Sequence, residues 1–278
     1  MLGGTPQGSI LSPTLFILLS ADAPIISDGA GEDGSIFADD LNIWTSAKKL
    51  DDCLLLLQRR IHIFSDWCER WRLTPAPSKS NIVIFSRKGK TKEEAKKRSI
   101  YMNGRKIEWT QEVTFLGALY DEGLLFKPHI ERLMRNSYGK TRSIKKLFQH
   151  GITINQDIIV GLIHSLIFSA FHYSAPAYLG MSPLTWRKVD CFFARTLKII
   201  FGHPGCTNNE TIMKNYLGKK ASDIIQDQAT TRIRDIYRSV PLAADVIPRI
   251  SDCIFNRPHC SPTQTIIEKH GWTFRGFA

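Results

Sequence analysis

The sequence predicts an α+β fold in two parts, and three observations carry that prediction. Short β-prone runs separated by turn signals are confined to the first 125 or so residues. From about Lys127 to Tyr237 those signals stop and apolar residues recur at helical spacing. The 278 residues, 43% of them apolar, are enough for a sizeable core and for two domains of roughly 100–200 residues each. The expected division is 1–125 for a domain of antiparallel sheet and helices, 126–240 for a helical region and 241–278 for a partly irregular C-terminal segment.

The first element is a helix opening near Gly8-Ser9, with Leu11, Leu15, Phe16, Leu18 and Leu19 turned inward. Ile26 to Gly34 is a polar turn. Ser35–Phe37 and Leu41–Trp44 then form a short hairpin that breaks at Ala38-Asp39-Asp40. A long helix spans Lys48 to Leu73, where Leu50, Leu54, Leu57, Ile61, Phe64 and Cys68 keep the helical period and Pro75 and Pro77 end it. Asn81–Arg87 is a strand, and Arg87–Arg98 a charged loop that is solvated or in contact with phosphate. A second hairpin turns at Asn103-Gly104. Glu112–Tyr120 is a further strand.

The helix from Lys127 to Phe148 is the clearest in the chain. At about 100° per residue, Ile130, Leu133, Met134, Ser137, Thr141, Ile144 and Phe148 share one side. Arg135, Arg142 and Lys146 lie opposite, with Arg132 beside them. From Ile158 to Trp186 there is no charged residue, a stretch long enough to span a bilayer. His164, Ser165, Ser169, His172, Tyr173, Ser174 and Pro176 interrupt it, so it reads as a buried helix and no membrane partner is expected.

Charge and cysteines bound the partners. Lys and Arg total 37 against 26 Asp and Glu, a formal charge of +11, which favours a polyanion such as nucleic acid. The opening residues "MLGGTPQGSI" lack the basic start of a signal peptide. Cys53, Cys68, Cys191, Cys206, Cys253 and Cys260 are scattered, without a C-x-x-C pair, as free thiols in a reducing compartment are. Cys253 with His259-Cys260 is half of a zinc knuckle whose other ligands are not in place. Two adjacent aspartates between apolar flanks either decorate an Asx-type turn or hold something strongly positive.

The order of motifs favours the second. "GTPQGSILSPTLF" is followed about thirty residues later by "FADD". Then come Trp67, Trp71, Leu73, Pro77 and Lys79, the "FLG" of Phe115–Gly117, "HIERLMRN", and the apolar "SLIFSAFHYSAPAYLG". In this order and spacing the chain resembles the reverse transcriptases of non-LTR (LINE-like) retrotransposons. The resemblance implies an RNA-directed DNA polymerase fragment, with a partial palm followed by a helical thumb and a C-terminal helical region. It implies an RNA template, a DNA primer and deoxynucleoside triphosphates as partners, two Mg²⁺ or Mn²⁺ ions as cofactors, and the nucleus as the place of action.

The resemblance also distributes roles. Polymerases of this kind join a 3′ hydroxyl to an α-phosphate with two divalent ions roughly 3.5–4 Å apart. Asp39 is the expected principal ligand and Asp40 the assisting one, because successive side chains on a regular strand point to opposite faces while a tip can direct two the same way. Mg²⁺ takes oxygen ligands, and the ions neutralise the paired charge. Gly4, Pro6, Gln7, Gly8, Phe37 and Ala38 resemble the residues around the templating base and incoming nucleotide, where a glycine permits close approach. Lys79 is similar to a lysine near the triphosphate, able to stabilise or protonate the leaving pyrophosphate. The family usually has Asn where Ala76 stands. Phe115, Leu116 and Gly117 resemble the primer grip. Arg132, Arg135, Arg142 and Lys146 would meet phosphates of the duplex.

The family's palm takes a further metal-binding aspartate from upstream of the "PQG" segment, and this sequence begins at Met1, two residues before Gly3. The expectation is therefore a truncated enzyme, inactive alone, with apolar surface of the first helix left uncovered. Two other readings stay open: a non-catalytic basic nucleic-acid binder, and a helical interaction module that packs through Ile158–Leu179.

Overall fold

The computed structural model describes residues 8–24, 32–86, 88–149 and 155–239. Gly4, Pro6, Gln7, the Cys253–Cys260 segment and the region 241–278 lie outside the described residues. The α+β class holds, and the chain divides into two compact units, Met1–Val113 and Thr114–Ala278. That division falls before residue 125.

The first unit is arranged on one helix. α2 (Leu50–Arg70) carries Asp51 and Asp52 in its first turn, where the helix dipole favours carboxylates. It ends with Arg72 in the left-handed region (φ 56), the Arg72 amide bonded to the Glu69 carbonyl and the Leu73 amide to that of Cys68. This Schellman closure precedes Pro75 and Pro77. Leu54 and Ile61 pack on a small sheet formed by β3 (Asn81–Ile82), β4 (Ile100–Met102) and β5 (Arg105–Trp109), through Ile82, Ile100, Met102 and Ile107. The strand order is β3-β5-β4. β4 is an edge, and Gln58 closes it by donating to the Tyr101 carbonyl (2.7 Å) and accepting from the Tyr101 amide (2.9 Å).

The other end of α2 holds a second sheet. β1 (Glu32–Phe37) and β2 (Asp40–Thr45) form an antiparallel hairpin with Ile36 opposite Leu41 and Phe37 opposite Asp40. Leu41 and Ile43 pack against Phe64, Trp67 and Cys68. Further along β2, the Thr45 hydroxyl lies 3.1 Å from the Cys53 carbonyl, so the strand runs back along the helix. Trp67, 3% exposed, donates its indole N–H to Asp22 at 3.0 Å, just beyond α1 (Ser12–Ser20). A buried indole deprived of that acceptor would cost about 1–3 kcal/mol.

Five expectations in this unit are corrected. Asn81–Arg87 is strand only over Asn81–Ile82, because its parallel partner β5 ends at Trp109 and the ladder ends with it. The pairing of β3 with β5 also makes the sheet mixed rather than antiparallel. The charged segment expected as a loop folds as α3 (Gly89–Lys96), since Lys, Glu and Ala are strong helix formers and Ala95 is fully buried. Glu32–Gly34, read as turn, belongs to β1. Leu11, which precedes α1, and Leu15, Phe16 and Leu18 within it are exposed rather than turned inward, and no residue of that helix is buried.

The division between the units falls within β6 (Glu112–Phe115), which with β7 (Ala118–Asp121) corrects the single strand expected over Glu112–Tyr120. Leu116 (φ 45) and Gly117 (φ 77) turn the chain between them. Helices α4 (Lys127–Gln149), α5 (Gln156–Ile163), α6 (Ser169–Tyr178), α7 (Pro183–Phe201), α8 (Asn209–Leu217) and α9 (Ala221–Ser239) follow, with a π-turn at His164–Phe168 joining α5 to α6. α4 buries Ile130, Ser137, Thr141 and Ile144 and half-buries Leu133 and Met134. The run Gln156–Tyr178 is long and apolar enough for a membrane span, yet Ile159, Ile163, Ile167, Phe168, Phe171, Ala175 and Tyr178 are the centre of this unit's core. Ser182 caps α7 ahead of Pro183, Asn208 caps α8, and Gly202 and Gly218 close the two helices in the left-handed region.

The two-residue turns of this chain differ in one informative way. Asn103-Gly104 (φ 49 and 72) suits two left-handed positions, whereas Leu116-Gly117 puts a branched apolar residue where the left-handed region costs about 1–2 kcal/mol. Leu116→Asn should therefore raise the stability of the chain by about 0.5–1 kcal/mol in a urea titration. A lowered midpoint would show that the Leu116 side chain contributes more through packing than its backbone loses.

Candidate nucleotidyl-transfer and nucleic-acid site

The β1–β2 register places Ala38 and Asp39 in a two-residue loop and Asp40 at the first position of β2. Ala38 has φ 52, a strained value for a residue with a Cβ. Leu41 and Ile43 face α2, so alternation along the strand puts Asp40 and its cross-strand neighbour Phe37 on the other face. Phe37, Ala38, Asp39 and Asp40 are all exposed. Among the described residues neither carboxylate has an ion-pair partner. Two adjacent hard oxygen donors at an open tip fit a divalent cation such as Mg²⁺. Among the described residues no third acidic, histidine or cysteine side chain joins them. Gly8 is exposed at φ 90 with open space where a Cβ would stand. Lys79 closes an exposed 3-10 turn, Pro77–Lys79, on the segment that leaves α2 for β3.

In the second unit the turn Phe115-Leu116-Gly117 is tied to α4. Arg132 donates to the Gly117 carbonyl at 2.7 Å and to the Thr114 hydroxyl at 3.2 Å. The Leu119 amide donates to His129 Nδ1 at 3.3 Å, and His129 Nε2 lies 2.8 Å from the Ser174 hydroxyl. An accepting Nδ1 makes Nε2 the protonated nitrogen of a neutral ring. Tyr173 lies against the turn, since a Cβ on Gly117 would come within 3.3 Å of its ring. Asp121 holds the passage into α4, accepting from the amides of Gly123, Leu125 and Phe126. Arg132 thus spends donors on the turn, while Arg135, Arg142 and Lys146 are exposed along α4 together with Lys145. Lys140 is engaged with the Leu166 carbonyl (2.7 Å).

Sequence reasoning missed the tying role of Arg132 and the partnership of Asp22 with Trp67. The aspartate stands 45 residues from its partner, a separation over which no local signal runs. His129 sits three residues before Arg132 on one helix face, and that i, i+3 spacing was the available signal for the pair.

Comparison with known proteins gives these surfaces a context. The sequence profile of the family described as "Reverse transcriptase (RNA-dependent DNA polymerase)" matches residues 2–119. "RNA-directed DNA polymerase from mobile element jockey" of Drosophila melanogaster is 25% identical over 232 residues, covering 81% of this chain and 25% of the relative. "Probable RNA-directed DNA polymerase from transposon X-element" of the same species is 30% identical over 149 residues, 53% of this chain and 15% of the relative. "Probable RNA-directed DNA polymerase from transposon BS", also of that species, is 26% identical over 159 residues, 55% of this chain and 17% of the relative. The chain spans about a quarter of the jockey relative's length. No solved structure matches.

Two histidines make the second unit sensitive to acid. Burial, with the Arg132 guanidinium beside it, pulls His129 down to about 4, and burial, with Arg232 and His164 nearby, does the same to His172. A folded-state value below the unfolded one, near 6.5, means that the unfolded chain binds the protons first. Stability is then complete above about pH 6.5 and is lost as pH falls toward 4. Each histidine should cost about 1–2 kcal/mol at pH 5 once solvent screening is allowed for, and thermal melts at pH 7 and 5 measure it. His129→Gln should flatten the dependence; an unchanged slope would contradict the role given to the neutral ring.

Proposed function

We propose that this chain, whose residues 2–119 match the reverse transcriptase family profile and which is similar to non-LTR RNA-directed DNA polymerases over most of its length, carries the cation-binding hairpin and the duplex-holding helix of such an enzyme. The observation that carries this reading is the placement of Asp39 and Asp40. Both are exposed, both sit at the tip of a hairpin anchored on α2, and neither has an ion-pair partner among the described residues. Asp39 is the principal ligand and Asp40 assists. When bound, a pair of Mg²⁺ or Mn²⁺ ions supplies charge neutralisation for the attacking hydroxyl and the leaving pyrophosphate.

This chain's own residues do the rest. Gly8, Phe37 and Ala38 border the templating base and the incoming deoxynucleoside triphosphate, with Gly4, Pro6 and Gln7 on the same motif. Lys79 offers a cation, and a proton, to the departing pyrophosphate. Phe115, Leu116 and Gly117 hold the primer strand, with Arg132 positioning that turn through the Gly117 carbonyl. Arg135, Arg142 and Lys146 contact the phosphates of an RNA template–DNA primer duplex, which gives affinity without sequence preference. In these roles the first unit corresponds to part of a palm and α4 to the start of a thumb. Among the described residues two carboxylates fill only part of the shell of two octahedral ions, and on that set we expect the chain to bind template–primer better than it extends it.

Filter binding of an RNA–DNA template–primer tests the duplex-holding part. Affinity should fall steeply with salt, and Arg135→Gln, Arg142→Gln and Lys146→Gln should each lower the slope of log K against log salt by about 0.9. Absence of salt-dependent binding would overturn the reading. Primer extension with Mg²⁺ or Mn²⁺ should stay near background for the chain alone. Robust incorporation that disappears in Asp39→Asn would establish the hairpin and refute the incomplete shell.

A further inference from the structure

The second unit contains a cleft that the roles above do not use. It lies beside the π-turn His164–Phe168 and has a volume of about 510 Å³, within the ~300–1,000 Å³ range of small-molecule sites. His164, Ser169, His172, Tyr173, Gln228 and Arg232 are among the residues that line it. A π-turn widens the helix by one residue and recurs at functional sites. Here it stacks three rings in a column: His164 on Phe168 at 4.6 Å and Phe168 on His172 at 5.4 Å. The column fixes His172, which is 8% exposed and whose Nε2 has no hydrogen-bond partner among the described residues. A buried imidazole nitrogen left in that state is costly unless something else completes it.

The neighbouring groups define what would complete it. Arg232 reaches from α9 and donates through Nη1 to the His172 carbonyl at 2.9 Å, which holds the guanidinium at the cleft and leaves further N–H donors for an anion. The Ser169 hydroxyl is spent on the Ser165 carbonyl, so it presents lone pairs rather than a hydrogen. Gln228 adds an amide with both donor and acceptor. Tyr173 is 61% exposed, an aromatic face lining the cleft on a residue that also touches Gly117. One cation, one open aromatic face and a small set of neutral polar groups match a nucleotide: phosphate on the guanidinium, base on the tyrosine ring, base edge on the imidazole and amide.

We propose that the cleft beside the π-turn binds a single nucleotide, with Arg232 on its phosphate, Tyr173 stacked on its base and His172 Nε2 bonded to the base edge. This deepens the reading of the chain as a polymerase fragment and rests on it for the source of the nucleotide, an unpaired residue of a strand held at the neighbouring Phe115–Gly117 turn. The chemistry is the same for a free mononucleotide.

The test uses the full chain with AMP, an unpaired eight-residue oligodeoxynucleotide and an RNA–DNA duplex as probes, followed by NMR and fluorescence anisotropy. AMP should bind saturably and shift the His172 ring signals. Tyr173→Leu, at an exposed position, and Arg232→Gln should each weaken AMP and oligonucleotide binding about tenfold. The pair Arg135→Gln and Arg142→Gln should leave AMP binding unchanged while weakening the duplex. A strand source predicts tighter binding of the oligonucleotide than of AMP; AMP bound as tightly as the oligonucleotide would overturn the assignment to a strand. Absence of AMP binding, or AMP binding indifferent to both cleft variants, would overturn the site. If the duplex still bound with its salt dependence in that case, the proposed function would stand without this cleft; if neither bound, both would fall.

Discussion

A two-residue hairpin loop has no freedom that its strands do not give it, and this governs the first unit. The direction of Asp39 and Asp40 is set by the register of β1 on β2, and that register is set by the contact of Leu41 and Ile43 with α2. A slip of one residue would turn those two apolar side chains outward and bury Asp40 and Asn42 against Phe64 and Trp67. The cost of burying an unpaired carboxylate excludes the slipped state. α2 therefore does more than fill a core. It is the common support of both sheets, with Gln58 closing the edge strand of one and the Asp22–Trp67 bond tying down the residues that precede the other. A helix so placed lets an exposed pair of like charges stay where a cation would need them.

The second unit solves a similar problem with polar contacts. Its hairpin is short, carries Leu116 in a conformation that the residue does not favour, and is held by side chains from elsewhere in the unit. Arg132 takes the Gly117 carbonyl, His129 takes the Leu119 amide, and Tyr173 lies on Gly117. Each of these residues has a second partner or neighbour: Thr114 for the arginine, Ser174 for the histidine, the cleft for the tyrosine. The turn, the start of α4 and Ser174 on α6 are thereby joined through neutral His129, and Arg132 is set apart from the exposed cations of its own helix. Arg132 belongs mainly to the protein, whereas Arg135, Arg142 and Lys146 are left for solvent or phosphate.

Much of this was legible in the sequence where the cause is local. Asn103-Gly104 has the backbone freedom that its turn demands, and α2 and α4 show their buried faces as plain helical periods. The Asp hairpin was visible as two apolar runs around a break. Reading failed where two local tendencies compete or where the cause is distant. The segment Gly89–Lys96 is both charged and helix-forming, and helix propensity with one buried alanine prevailed. Glu112–Tyr120 is uniformly β-prone, so the fold at Leu116-Gly117 was hidden by a leucine that seldom occupies such a turn. Arg132 looks like any other cation of a basic stripe until the carbonyl that it meets, fifteen residues earlier, is placed beside it.

The chemistry proposed for the chain reduces to whether the hairpin tip seats a divalent cation. The most direct measurement is paramagnetic broadening of backbone amide signals by Mn²⁺, titrated into the full chain and displaced with Mg²⁺. The amides of Ala38 to Leu41 should broaden first, and Asp39→Asn should abolish the effect while leaving signals from α2 in place. Broadening that begins elsewhere, or that persists at the tip in Asp39→Asn, would contradict the account.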